Sequence, residues 1–216
     1  MPIMEGFARR FLSLRGGKNP TEVRFTHQES LAIAQVEPEG MEATRAGRRF
    51  RSAFNGTPPT GIAPVQAIPT VAAQWALFNA DPINSYIMTT VGTMIFSGTQ
   101  GVGGTVLGTI FQLPAQSGFS TGLAVANMSN SSLGSKASIK SGISIATPAA
   151  PIWAPVAALP DAADTVGGQA APSSDMKGRM IIPPGYGLGI SVFSAAGTTP
   201  LFLPYFDWIE LPIDLE

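Results

Sequence analysis

From Pro82 to Ser135 the chain carries no Asp, Glu, Lys or Arg, and a second stretch, Met180 to Phe206, is equally bare. Segments this long without charge do not remain solvated coil; they fold and bury apolar surface. Charged residues make up 12% of the 216, against a typical figure of about 25%, while hydrophobic residues reach 44%. Too few ions are left to cover an ordinary monomer, so part of the surface is expected to lie against other molecules.

A membrane helix needs about 18–20 consecutive apolar residues. Here Gly, Ser, Thr, Asn, Gln or Pro intervenes every few positions, as in Thr93-Met94-Ile95-Phe96-Ser97-Gly98, so no bilayer-spanning helix is expected. An outer-membrane barrel would alternate in a similar way, but aromatics are only 8%, too few for two girdles. Met1 to Gly17 place Arg9 and Arg10 inside the apolar stretch and do not read as a secretory signal. The expectation is a protein with no membrane partner.

Apolar and small polar residues alternate in short segments bounded by Gly or Pro, which is the period of half-buried strands. Tyr86–Phe96 and Thr105–Leu113 read as strands, with Gly98–Gly104 as a hairpin loop between them. Phe119, Thr121, Leu123 and Val125 share one face of a third strand; Ile139, Ser141, Ile143 and Ile145 share one face of a fourth, with Asn127–Gly134 as their turn. After Pro183-Pro184-Gly185, Leu188, Ile190 and Val192 alternate with Gly189, Ser191 and Phe193, and the last strand runs from Pro204 to Leu211. Gln74–Phe78 reads equally as a strand or a helical turn, and residues 146–172, rich in Ala and Pro, as a long connection. Short strands without a long helix predict an all-β protein, a jelly-roll-like antiparallel β-sandwich with an extended N-terminal arm.

Charge divides the chain near Asn55. Residues 1–54 hold nine Lys/Arg and six acids, 9 − 6 = +3, and the remainder holds four bases and eight acids, 4 − 8 = −4. The domain reading is an arm over residues 1–55 and a sandwich over 56–216. In the arm, Phe7, Phe11 and Leu14 have helical spacing, Leu31–Val36 reads as a strand, and Arg45 to Arg51 is the densest basic patch. Phe7, Arg9, Arg10, Phe11, Arg48, Arg49, Phe50, Arg51 and Phe54 are the candidate docking residues. The acids dilute the patch and no recognition module surrounds it, so nucleic acid is not the expected partner.

Catalytic patterns are missing or incomplete. The chain has no cysteine and one histidine, His27, which excludes thiol chemistry, Cys-ligated zinc and disulfides and leaves a serine hydrolase short of a supported base. The glycines at 101–108 are followed by Thr109 and Ile110 without the lysine of a phosphate loop, and no dinucleotide fingerprint is completed. Asp207 and Glu210 flank Trp208 as sugar-binding acids do, and Asp161, Asp164 and Asp175 are the acids available to a hard cation, without EF-hand spacing. The expectation is a non-enzyme without cofactor or metal.

The run Ile181-Ile182-Pro183-Pro184-Gly185-Tyr186-Gly187-Leu188-Gly189-Ile190, then Thr199-Pro200-Leu201-Phe202 and Phe206-Asp207-Trp208-Ile209-Glu210, resembles the last hairpin of trimeric jelly-roll virion proteins of tailed bacteriophages. Tumour-necrosis-factor-like trimers share that ending. The resemblance implies a homotrimeric capsid cement or decoration protein, made in the host cytoplasm and carried on the virion, that holds major capsid protein subunits together through its arm. It also implies that Phe202, Tyr205, Phe206 and Trp208 lie at the subunit contact. The long N-terminal region departs from the pattern. The alternatives are a carbohydrate-binding or host-recognition knob, with Trp153 or Trp208 as stacking platform, and a coat protein whose basic arm faces nucleic acid.

Overall fold

The computed structural model describes residues 23–25, 31–33, 40–54, 61–98, 103–112, 120–129, 132–144, 151–159, 173–177, 179–194 and 200–212. The proposed helix around Phe7 and Phe11, Arg9, Arg10, His27, Asp161 and Asp164 lie outside them, as does most of the 146–172 connection. The chain divides into two compact units, Met1–Glu42 and Ala43–Glu216. In the first unit β1 (Val23–Phe25) and β2 (Leu31–Ile33) form a two-stranded antiparallel sheet.

The described residues of the second unit are all-β apart from the end of α1 (Met41–Arg45), which crosses the unit boundary. Its strands are β3 (Arg49–Ala53), β4 (Ala72–Phe78), β5 (Asn84–Ser97), β6 (Gly104–Gln112), β7 (Ser120–Asn127), β8 (Ser138–Ser144), β9 (Ala154–Leu159), β10 (Ser173–Asp175), β11 (Ile181–Ile182), β12 (Tyr186–Ser194) and β13 (Leu201–Pro212). They form a nearly closed, jelly-roll-like antiparallel sandwich. One layer has the order β10-β5-β13-β3-β7 with β11 alongside β5, and the other is β7-β8-β4-β12-β6-β9; β7 belongs to both. Among the described residues no helix is long and apolar enough to cross a membrane.

Alternation builds the core. Leu188, Ile190 and Val192 of β12 meet Trp75 and Leu77 of β4 and Val106 of β6 on the inner face of one layer, while Phe50, Tyr86, Met88, Phe202, Phe206 and Trp208 fill the inner face of the other. All are buried, and each large apolar side chain removed from water contributes about 1.5–3 kcal/mol before its ordering cost. Gln74–Phe78, ambiguous in sequence, lies within β4 because its pairing with β12 and β8 satisfies the backbone of a strand whose side chains are buried on both faces.

Two sequence expectations change. Gly98–Gly104 does not close a hairpin: β5 pairs with β13, β10 and β11, while β6 pairs with β12 and β9. The connection passes between layers, because each strand finds its longest register with a partner far along the chain. The boundary near Asn55 also falls in the wrong place for the sheet, since β3 lies between β13 and β7. Arg49 and Arg51 point away from the core while Phe50 and Ser52 are buried, so the basic patch is the outer side of an amphipathic strand.

The turn at Pro183-Pro184-Gly185 is set by its residues. Gly185 has φ 78° and the Tyr186 amide donates to the Pro183 carbonyl at 3.2 Å, a turn with Pro at its second position and a left-handed glycine at its third. It carries the chain from β11 in one layer to β12 in the other.

Candidate functional site

The two residue sets singled out in the sequence meet along β3, β13 and β5. Asp207 lies opposite Arg51, and Trp208 opposite Phe50. On the outer face the Arg49 guanidinium donates two bonds to Asp207, Nε to Oδ1 at 3.1 Å and Nη2 to Oδ2 at 2.9 Å. On the inner face Trp208 stacks between Phe50, at 6.1 Å between ring centroids, and Tyr86, at 5.8 Å.

This geometry corrects several assignments. Phe50 is buried beneath the sheet and is not available for docking, and Arg49 is committed to Asp207. Phe202, Phe206 and Trp208 are buried within the single chain, so they cannot form a subunit contact; of that set only Tyr205 reaches the surface, half-buried. The same burial removes Trp208 as a sugar platform. Trp153 is half-buried, its indole donating to the Pro69 carbonyl at 2.6 Å. Arg48 and Phe54 are exposed, and Arg51 is half-exposed. Phe7, Arg9, Arg10 and Phe11 lie outside the described residues.

Asp207 and Glu210 are not a paired-carboxylate site. Asp207 is neutralised by Arg49, whereas Glu210 points inward on the Trp208 side. Among the described residues no group of three His, Cys, Asp or Glu side chains could hold a metal ion. Asp175 is exposed and accepts the Lys177 amide at 3.2 Å.

Sequence reasoning missed a buried polar cluster at one end of the sandwich. Glu210 lies directly opposite Tyr86, and its Oε1 accepts the Trp208 indole N–H at 3.1 Å and the Ser135 hydroxyl. Burial pushes the Glu210 carboxyl above its usual range; the bonds from Ser135 and Trp208 and the positive charge of Lys136 offset only part of this, and Asp81 adds to it. Burial and the nearby Glu210 charge also push the Tyr86 phenol well above its ordinary value. The Tyr86 hydroxyl lies near Ser135 but makes no well-directed hydrogen bond.

Asp81 behaves in the opposite way. Burial alone would raise its pKa, but the backbone amides of Asn84 and Ile83 and the Asn84 side chain hold the carboxyl below the usual range. The amide bonds are 3.0 and 2.8 Å. Asn79 completes the loop by donating to the carbonyls of Asn84 and Ile182, both at 2.9 Å.

The layer β8-β4-β12-β6-β9 carries a single charged side chain, Lys140. On its outer face Ala73, Ala76, Phe78, Phe111 and Ile143 form a second apolar cluster, with Trp153 packed against it. The exposed side chains Ile68, Val71 and Ile152 belong to the two segments joined by the Trp153–Pro69 bond. No protein-family model matches this chain, and neither a curated protein nor a solved structure gives a significant match.

Proposed function

We propose that the protein is a non-enzymatic structural component of a virion, a trimeric capsid cement or decoration protein. The observation that carries this reading is the layer of five strands with one charged side chain, beside an exposed margin that includes Ile68, Val71 and Ile152. Surfaces of this composition lose free energy when they are covered, and they lack the charges that normally discourage association. The copies meet through the exposed apolar margin of this layer, since its own outer cluster, like the C-terminal aromatics, is already buried within the chain.

Contact with the major capsid protein is assigned to the N-terminal region, assisted by Arg48 and Phe54 on the sandwich. Three weak attachments from one trimer hold together because each later contact is intramolecular. The assembly forms in the host cytoplasm and stays on the particle. Purified chain mixed with shells assembled without it tests this reading: co-sedimentation with the shells is expected. A stable monomer with no shell affinity would contradict it.

A further inference from the structure

Two guanidinium groups and one buried carboxylate share the outer face of β3 and β13. Arg49 neutralises Asp207 by reaching both of its oxygens, Nε on Oδ1 and Nη2 on Oδ2. Arg51 lies directly opposite Asp207, yet it makes no ion pair among the described residues, and its Nε is sealed from water without an acceptor. A guanidinium stripped of part of its hydration and given nothing in return is costly, and few native donors are left in that state. Such a donor points to a partner that the chain itself does not supply.

On the β7 side Arg51 lies opposite Ala126, and on the β13 side its row continues through Asp207 and Thr90 to Asp175. Asp175 is the exposed acid of that row, three strand spacings or about 14 Å away, and it accepts the Lys177 amide. Arg51 is half-exposed with its Nε sealed, so the two Nη groups at its tip are the ones that reach solvent. They present the end-on edge on which a carboxylate makes two parallel bonds. Tyr205 lies on the same face of β13, two residues before Asp207, and is half-buried.

We infer that Arg51 and Tyr205 mark the point at which the β3–β13 face receives an Asp or Glu side chain of a partner protein, an acidic patch on the major capsid protein under the function proposed above, on which this inference rests. Charge selects the partner. With Arg49 neutralised, the face offers one uncompensated guanidinium, which a single carboxylate balances, whereas a phosphate backbone is held by clustered cations. A second copy is the poorer match, since Glu42 and Asp175 are the only exposed acids among the described residues. Arginine and tyrosine are also among the side chains enriched at the energetic centre of protein contacts.

The test compares the wild-type chain with Arg51→Met, which keeps an aliphatic stem and removes the charge. In the free chain the substitution should leave the urea midpoint unchanged or raise it, because no internal pair is broken. A lowered midpoint would overturn the inference by revealing a partner within the chain. With shells assembled without the protein, co-sedimentation should show binding weakened about tenfold, the factor for about 1.4 kcal/mol. Equal binding of the two proteins would sink the inference and leave the cement reading standing; binding of neither would sink both. Two further results would overturn it by giving Arg51 a different partner: a thymidylate oligonucleotide bound by the wild type and not by Arg51→Met, or a wild-type trimer that Arg51→Met dissociates.

Discussion

Arg49 and Asp207 show how a surface cation becomes part of the fold. Asp207 is buried and Arg49 covers it from the solvent side with a two-pronged contact, the geometry in which guanidinium surpasses ammonium. Arg49→Ala leaves that carboxylate without its cation and should cost about 3 kcal/mol, at the low end for a broken buried pair because Arg49 is partly solvated; urea unfolding of the two proteins checks this. Asp81 carries an acid-side signature. Its folded-state pKa is depressed below 3.8, so its contribution to stability is complete above that value and is lost as pH falls through the folded pKa. Asp81→Asn should therefore flatten the acid limb of the stability curve measured by thermal unfolding. Glu210 has the reverse sign. Its pKa is raised above 4.5, so its contribution is complete below that value and is lost as pH rises through the folded pKa.

Among the elements, strands that alternate cleanly were legible. Leu188, Ile190 and Val192 declare the inner face of β12, whereas Ile139 and Ile143, expected on one face of β8, are buried in separate clusters, Ile139 in the main core and Ile143 with Phe78 and Phe111. β3 was not legible because Arg48, Arg49 and Arg51 hide a two-residue period carried by only Phe50 and Ser52. Whether β5 pairs with β6 or with β13 depends on registers far apart in the chain, which no local pattern contains. In β5 the register with β13 slips at Thr89, whose hydroxyl donates to the Asp207 carbonyl at 2.9 Å and whose own carbonyl accepts the Met176 amide at 2.7 Å. The Glu210 cluster joins residues 86, 135 and 210, and its one local sign is an acid two residues after Trp208 in a strand whose only other charge is Asp207. Glycine matters most where β6 begins. A Cβ on Gly104 would lie 2.1 Å from the Phe193 carbonyl oxygen, while one on Gly134 would meet nothing within 4 Å. Gly104→Ala should thus cost about 3 kcal/mol, the upper range for overpacking, and Gly134→Ala almost nothing, as comparative melting curves would show.

For the whole molecule, one apolar core unites the two layers, and the segment Gly61–Val65 stitches them together. Ile62 exchanges backbone bonds with Phe202 of β13, and Val65 bonds to Val192 and Ser194 of β12. Apart from Glu210, which points inward, the charged side chains of the β3–β13 layer pair or reach the surface, while the strands of the opposite layer carry only Lys140. That asymmetry leaves the exposed apolar margin of the uncharged layer as the part suited to being covered, its outer cluster being buried already. A specific oligomer interface typically removes about 800 Å² from each partner, and Ile68, Val71 and Ile152 supply apolar anchors at its margin. Sedimentation equilibrium of the purified chain over a wide concentration range tests this most directly. The account predicts a particle of three chain masses that Ile152→Asp shifts toward monomer; a wild-type chain that stays monomeric and soluble at the highest concentrations would contradict it.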